Sequence, residues 1–141
     1  MTDVLGWRMT LGLLVPSTNT SVQPEMESMR PAGVTLHTAR IHVPDDPVKS
    51  DADFERLIAR VQGATLDAVD RVVTCGPGAV ILGISAESFW EGADGSAALK
   101  AEIEGRAGVP AFHASDGLRA ALDPHGGPRR IAVLTPYMPV G

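Results

Sequence analysis

Residues that hold or transform an anion must donate hydrogen bonds or move protons. Three stretches of this 141-residue chain concentrate such side chains. The first is Pro16-Ser17-Thr18-Asn19-Thr20-Ser21, a row of hydroxyl and amide groups directly after an apolar run. Backbone N–H groups at a helix start, joined by such side chains, form a cradle for a carboxylate or phosphate. Capping a helix would account for one of these residues, not for the whole row. The second is Gly83-Ile84-Ser85-Ala86-Glu87-Ser88-Phe89-Trp90. A glycine there lets a ligand approach the backbone, and Ser85 and Ser88 add donors. Glu87 is a candidate base or an ordinary solvated carboxylate, and Phe89 and Trp90 either wall a pocket or pack beneath the next helix. The third is Thr135-Pro136-Tyr137, which carries the sole tyrosine, a possible hydroxyl donor to the same anion.

Other chemistries find little support. Lys and Arg total 12 against 17 Asp and Glu, a net charge of -5 that repels phosphate backbones and leaves no basic stripe. Nucleic acid is not expected as a partner. The single cysteine, Cys75, excludes a disulfide framework or a multi-thiolate metal site. It closes a long helical pattern, on the side of the sheet opposite the expected active edge, and a helix C-terminus raises a thiol pKa. His37, His42, His113 and His125 lie far apart in sequence, so no metal is expected. Gly76-Pro77-Gly78 lacks a nucleotide-loop pattern. No apolar run approaches the ~20 residues of a membrane span, and no cleavable leader is visible, so a cytoplasmic location is expected.

The elements that must position these stretches follow from periodicity. Met9 to Val15 and Ala79 to Ile84 are short apolar runs that suit doubly covered strands, and Val34 to Ile41 alternates as a third strand. Val109 to His113 and Arg130 to Thr135 complete the expected strands. Between them, helices are expected over Ser21 to Met29, from Asp51 to about Val73, over Ser96 to Arg106 and over Ser115 to Leu122. This alternation predicts an α/β fold, a three-layer sandwich with a mainly parallel, flavodoxin-like sheet and the first strand between the second and third. Ligands in such sheets bind beyond the carboxyl ends of the strands, where the polar stretches fall.

Three motifs in their order and spacing complete the picture: Gly12-Leu13-Leu14-Val15-Pro16-Ser17-Thr18-Asn19-Thr20, Gly83-Ile84-Ser85 ahead of Ser88-Phe89, and Leu134-Thr135-Pro136-Tyr137. They resemble the aspartate/glutamate racemase superfamily, in particular its maleate cis–trans isomerase and arylmalonate decarboxylase branches. The resemblance implies two similar α/β lobes with the active site between them and no metal or organic cofactor. It implies a cysteine from each lobe in the racemases and isomerases. By the same resemblance Asn19 would hold a carboxylate and Tyr137 would donate to it. Pro16, Ser17, Thr20, Gly83, Ile84 and Ser85 would line the substrate, with Tyr137 and Ser85 the catalytic pair. Gly83 stands where the isomerases carry a cysteine, as in the decarboxylases, and Ser85 keeps one of the hydroxyls that stabilise a decarboxylase enediolate.

The resemblance further implies a protein about twice this length, so residues 1–141 are expected to form a single lobe like the N-terminal half of a two-lobe enzyme. That lobe alone is expected to be inactive and the protein to be a homo-oligomer. The leading expectation is a cofactor-independent isomerase acting on a small dicarboxylate, with an arylmalonate decarboxylase-like lyase as the alternative. A non-catalytic carboxylate-binding module is a further reading. An unrelated flavodoxin-like response domain would require an acidic cluster after the first strand, where Pro16-Ser17 stands instead.

Overall fold

The computed structural model describes residues 4–84, 92–128, 130–132 and 134. Within them the order is β1 (Met9–Pro16), α1 (Val22–Met29), β2 (Val34–Ile41), α2 (Asp51–Val72), β3 (Ala79–Leu82), α3 (Gly92–Ala107), β4 (Ala111–Phe112) and α4 (Ala114–Leu122). The described strands form one parallel sheet in the order β2-β1-β3-β4. The expected α/β class and the central place of β1 are both present.

β1 is central because its residues are apolar on both faces. It pairs with β2 along its whole length, from Met9 opposite Val34 to Pro16 opposite Ile41. On its other edge Leu11 to Leu14 pair with Ala79 to Leu82. In-register parallel neighbours point the same way. Leu14, Ala39, Ile41, Val80, Leu82 and Ala111 therefore build one face, covered by Val61, Ala68, Val69 and Val72 of α2 and by Leu99 and Ile103 of α3. Gly12 allows α2 to lie close: a Cβ there would stand 3.1 Å from a Val72 methyl. Thr65, fully buried in α2, returns its hydroxyl to Val61 O at 2.8 Å, so its burial leaves no orphan donor.

Helix starts follow local rules. Ser50 caps α2 by accepting from Asp53 N, while its hydroxyl donates to the Asp53 carboxylate at 2.8 Å. The Ser50 hydroxyl is the largest influence holding the Asp53 carboxyl below its ordinary range. α2 and α3 are joined on their outer side by Arg106, whose guanidinium donates twice to Asp70 at 2.6 and 2.5 Å.

The opposite face carries Met9, Leu11, Leu13, Ala79, Ile81 and Phe112, flanked by α1 and α4, which gives the three layers. Two expectations need correction. The strand expected over Val109 to His113 is reduced to Ala111–Phe112, because Pro110 and the α4 start at Ala114 bound it. The strand expected over Arg130 to Thr135 is absent at its described positions, 130–132 and 134. Burial, more than strand propensity, secures pairing, and among the described residues Ile131 (51% exposed) and Leu134 (99% exposed) stand outside the core.

Leu14 is fully buried among both neighbouring strands and α2. Leu14→Ala should lower unfolding free energy by about 2–5 kcal/mol, measured by denaturant titration of the full chain. A loss well under 1 kcal/mol would contradict this core assignment.

Candidate anion site at the carboxyl edge of the sheet

After Pro16 the chain turns at once, with Asn19 N donating to Pro16 O at 3.0 Å. The turn is stitched to the end of β2: Ser17 N donates to Ile41 O at 2.7 Å, and Val43 N donates to Ser17 Oγ at 2.9 Å. Asn19 Oδ1 accepts from Ser21 N at 3.0 Å and Val22 N at 2.9 Å. Asn19 is thus the residue that caps α1, and Ser21, next to the helix, makes no cap bond with its side chain.

These bonds select what the turn can offer a ligand. The acceptor oxygens of Ser17 and Asn19 are engaged by backbone N–H groups. The Ser17 hydroxyl proton and the Asn19 Nδ2 hydrogens are donors. A pair of side chains whose acceptors are engaged internally suits an anion and disfavours a cation. Ser17, Thr18 and Thr20 are exposed and Asn19 is half-buried.

The end of β3 meets this turn from the other side. Gly83 N donates to Leu14 O at 2.7 Å. A Cβ at Gly83 would lie 2.9 Å from Leu14 O and 3.0 Å from a Val22 methyl, so the position is closed to a side chain unless its neighbours move. Pro16, Asn19, Gly83 and Ile84 share one groove of about 920 Å3 that runs across the open face of the sheet between α1 and α4. Ser17 and Thr20 do not line it. Ser85, Glu87, Ser88, Phe89, Trp90, Thr135, Pro136 and Tyr137 lie outside the described residues.

The groove is apolar except at its carboxyl edge, where Asn19, His113 and Asp116 line it. His113 was not among the expected site residues, because an isolated histidine at a strand end carries no pattern. The fold buries it to 7% exposure between α3 and the start of α4. Its Nδ1 lies 2.7 Å from Ser115 Oγ and its Nε2 lies 3.3 Å from Ser96 Oγ. Asp116 Oδ2 accepts from His113 N at 3.3 Å and from Lys100 Nζ at 2.9 Å. Burial works to raise the Asp116 carboxyl, but the Lys100 and His113 hydrogen bonds outweigh it and hold the group below its ordinary range. Lys100 also stands 5.4 Å from the Phe112 ring centre, a cation–π contact at the rim.

Cys75 lies where the sequence places it, beyond α2 and ahead of β3 at the amino edge. Its thiol donates to Val72 O at 3.1 Å, and burial of the sulfur pushes its pKa up. Among the described residues no three His, Cys, Asp or Glu side chains gather to hold a metal ion. No helix among them is long and apolar enough to cross a membrane.

Comparison with known proteins agrees with this fold. The sequence profile of arylmalonate decarboxylase matches residues 11–140, nearly the whole chain. The chain belongs to the arylmalonate decarboxylase family. A crystal structure of arylmalonate decarboxylase superposes with a TM-score of 0.64 at 20% identity, over 83% of this chain and 46% of that one. A Nocardia farcinica maleate cis-trans isomerase gives 0.62 at 15% identity, over 82% of this chain and 48% of that one. At such identities the likeness is one of fold. The chain spans about half the length of these family structures. No curated protein matches it in sequence.

The closeness of Gly83 to β1 generates a test with a built-in control. Gly83→Ala should destabilise the chain by about 1–3 kcal/mol through overpacking. Gly105→Ala, on the exposed side of α3 where a Cβ meets nothing, should instead stabilise it by about 0.5–1 kcal/mol. Thermal unfolding of both variants checks this, and an unchanged midpoint for Gly83→Ala contradicts the close approach.

Proposed function

We propose that this family member is a cofactor-independent enzyme acting on small dicarboxylates, with residues 1–141 contributing the carboxylate-holding half of the active site. One observation carries the reading. Ser17 and Asn19 present donors at the carboxyl edge of the sheet while their acceptors are engaged internally.

Between the chemistries of the two related structures, the surroundings of Gly83 favour decarboxylation. A two-thiol isomerisation needs a proton-transferring side chain at the end of β3, and the Gly83 position is closed to one. Decarboxylation makes a different demand. The bond between the α-carbon and one carboxylate breaks, CO2 leaves, and the electron pair passes into the remaining carboxylate as an enediolate. Fixed donors lower the barrier by stabilising that developing charge. Asn19 Nδ2, which lines the groove, fills this role here, joined in the proposal by the Ser17 hydroxyl beside it in the turn and by Ser85 and Tyr137. The α-carbon then takes a proton, whose donor we assign to a second lobe beyond these residues. The maleate isomerase reading is the second choice, supported by the Pro16-to-Thr20 loop and the isomerase superposition.

The test is turnover by the full-length protein of an arylmalonate and of maleate, read as CO2 release and as fumarate formation. CO2 release from the arylmalonate supports the proposal. Fumarate formed from maleate without CO2 release from the malonate would establish the second choice, and binding of neither substrate would remove both.

Two variants extend the test. Asn19→Ala should weaken malonate binding by roughly ten- to a hundredfold, the equivalent of one charge-assisted hydrogen bond. Calorimetry checks it, and Asn19→Asp, which places a negative charge in the same cradle, should be weaker still. Cys75→Ala should leave malonate affinity and turnover within about twofold, as for a surface substitution away from the site. A large loss there would place the chemistry at the opposite edge of the sheet.

A further inference from the structure

Arg40 is a residue at the anion turn that the sequence motifs do not single out. It stands near the end of β2, opposite Val15 of β1. Its guanidinium reaches over the turn: Nη1 donates to Asn19 O at 2.8 Å and lies 3.4 Å from Pro16 O, and Nη2 donates to Gln23 Oε1 at 2.7 Å. One planar fork therefore holds both ends of the Pro16-to-Asn19 turn and the first turn of α1. The backbone atom it grips most closely belongs to Asn19 itself.

Like Arg8, Lys49, Arg71 and Arg130, Arg40 has no salt bridge among the described residues, but Arg40 alone of these stands over the anion turn. Arg30, Arg56, Arg60, Arg106 and Lys100 each face a carboxylate. Arg40 forms no ion pair among the described residues; its contacts there are to neutral oxygens. In a chain of net charge -5, an unneutralised cation behind the Ser17 and Asn19 side-chain donors supplies the potential that a dianion needs and a monoanion needs less.

We propose that Arg40 is the positioning and specificity residue of this site. It fixes the backbone of Asn19 so that Nδ2 faces the ligand, and its unpaired charge makes the cradle prefer a dicarboxylate to a monocarboxylate. The preference rests on the carboxylate reading above; the positioning of Asn19 does not.

The test uses the full-length protein, malonate and acetate as probes, and the variants Arg40→Gln, Arg40→Lys and Gln23→Ala. Calorimetry of the wild type should show malonate bound at least about tenfold more tightly than acetate. Arg40→Gln should bring the two affinities to within about threefold, mostly by weakening malonate. Arg40→Lys keeps the point charge and loses the fork, so it should retain the malonate preference while weakening both ligands. Gln23→Ala should leave the ratio unchanged. Without any ligand, the Asn19 side-chain amide resonances should move in Arg40→Gln and Arg40→Lys and stay in place in Gln23→Ala. A malonate-to-acetate ratio unaltered in Arg40→Gln overturns the specificity role. An Asn19 amide unmoved in both Arg40 variants overturns the positioning role. If the wild type binds neither probe, the carboxylate reading fails with the preference, while the amide signals still decide the positioning. If Arg40→Gln does not fold, Arg40→Lys alone decides: an unmoved amide and undiminished affinities overturn the proposal.

Discussion

The backbone of Gly83 against that of Leu14 is the contact on which the carboxyl edge depends. The N–H of Gly83 reaches Leu14 O at 2.7 Å, and the space beside its Cα is filled by that same carbonyl and by Val22. β3 can draw this close only because no side chain intervenes. The approach keeps β1 and β3 together past the last ladder pair, Leu14 opposite Leu82. It also seats α1 over the junction. The Asn19 turn then emerges between two strands whose ends are both fixed, which a site of hydrogen-bond donors requires, since misplaced donors lose directionality quickly.

The same closure bears on chemistry. In the proposed function, with the Gly83 position closed to a side chain, the contribution made there is electrostatic. The groove fits that role. The walls are apolar along Met9, Leu11, Leu13 and Ile81, and polar groups gather only at one end. An apolar wall lowers the local dielectric and strengthens each donor at the polar end. His113 and Asp116 belong to that end, but their first duty is structural. The imidazole joins α3 to the start of α4 through Ser96 and Ser115, and Asp116 ties Lys100 to the backbone of His113. These bonds satisfy buried polar groups that would otherwise be costly.

Membership of the arylmalonate decarboxylase family and the fold likeness to a maleate isomerase are compatible with one lobe architecture serving different reactions. In the proposed function the lobe would hold a carboxylate at its strand ends. On that reading, which bond breaks would depend on what stands at the end of β3 and on what faces it across the site. In this chain the first of those is glycine, and its reason is steric: Leu14 O and Val22 occupy the room that a side chain would need.

Much of the fold is written locally. The apolar runs at Met9 and Ala79, the alternation from Val34 to Ile41 and the recurring apolar residues from Phe54 to Val72 each select a backbone by a period that survives in any context. Alternation of the elements then implies the parallel sheet and places β1 inside it. The Pro16-to-Thr20 turn and Gly83 are visible by the same logic, as polar and small residues where strands stop. Three things were decided only by tertiary structure. Asn19, not Ser21, caps α1, because the turn brings Oδ1 rather than the nearer hydroxyl over the helix start. Ile131 and Leu134 have a strand-like pattern, yet among the described residues they lie outside the core, and pairing requires burial. Arg40 and His113 take their roles from neighbours distant in sequence, Asn19 and Ser96, and contacts across such separations are absent from any local pattern.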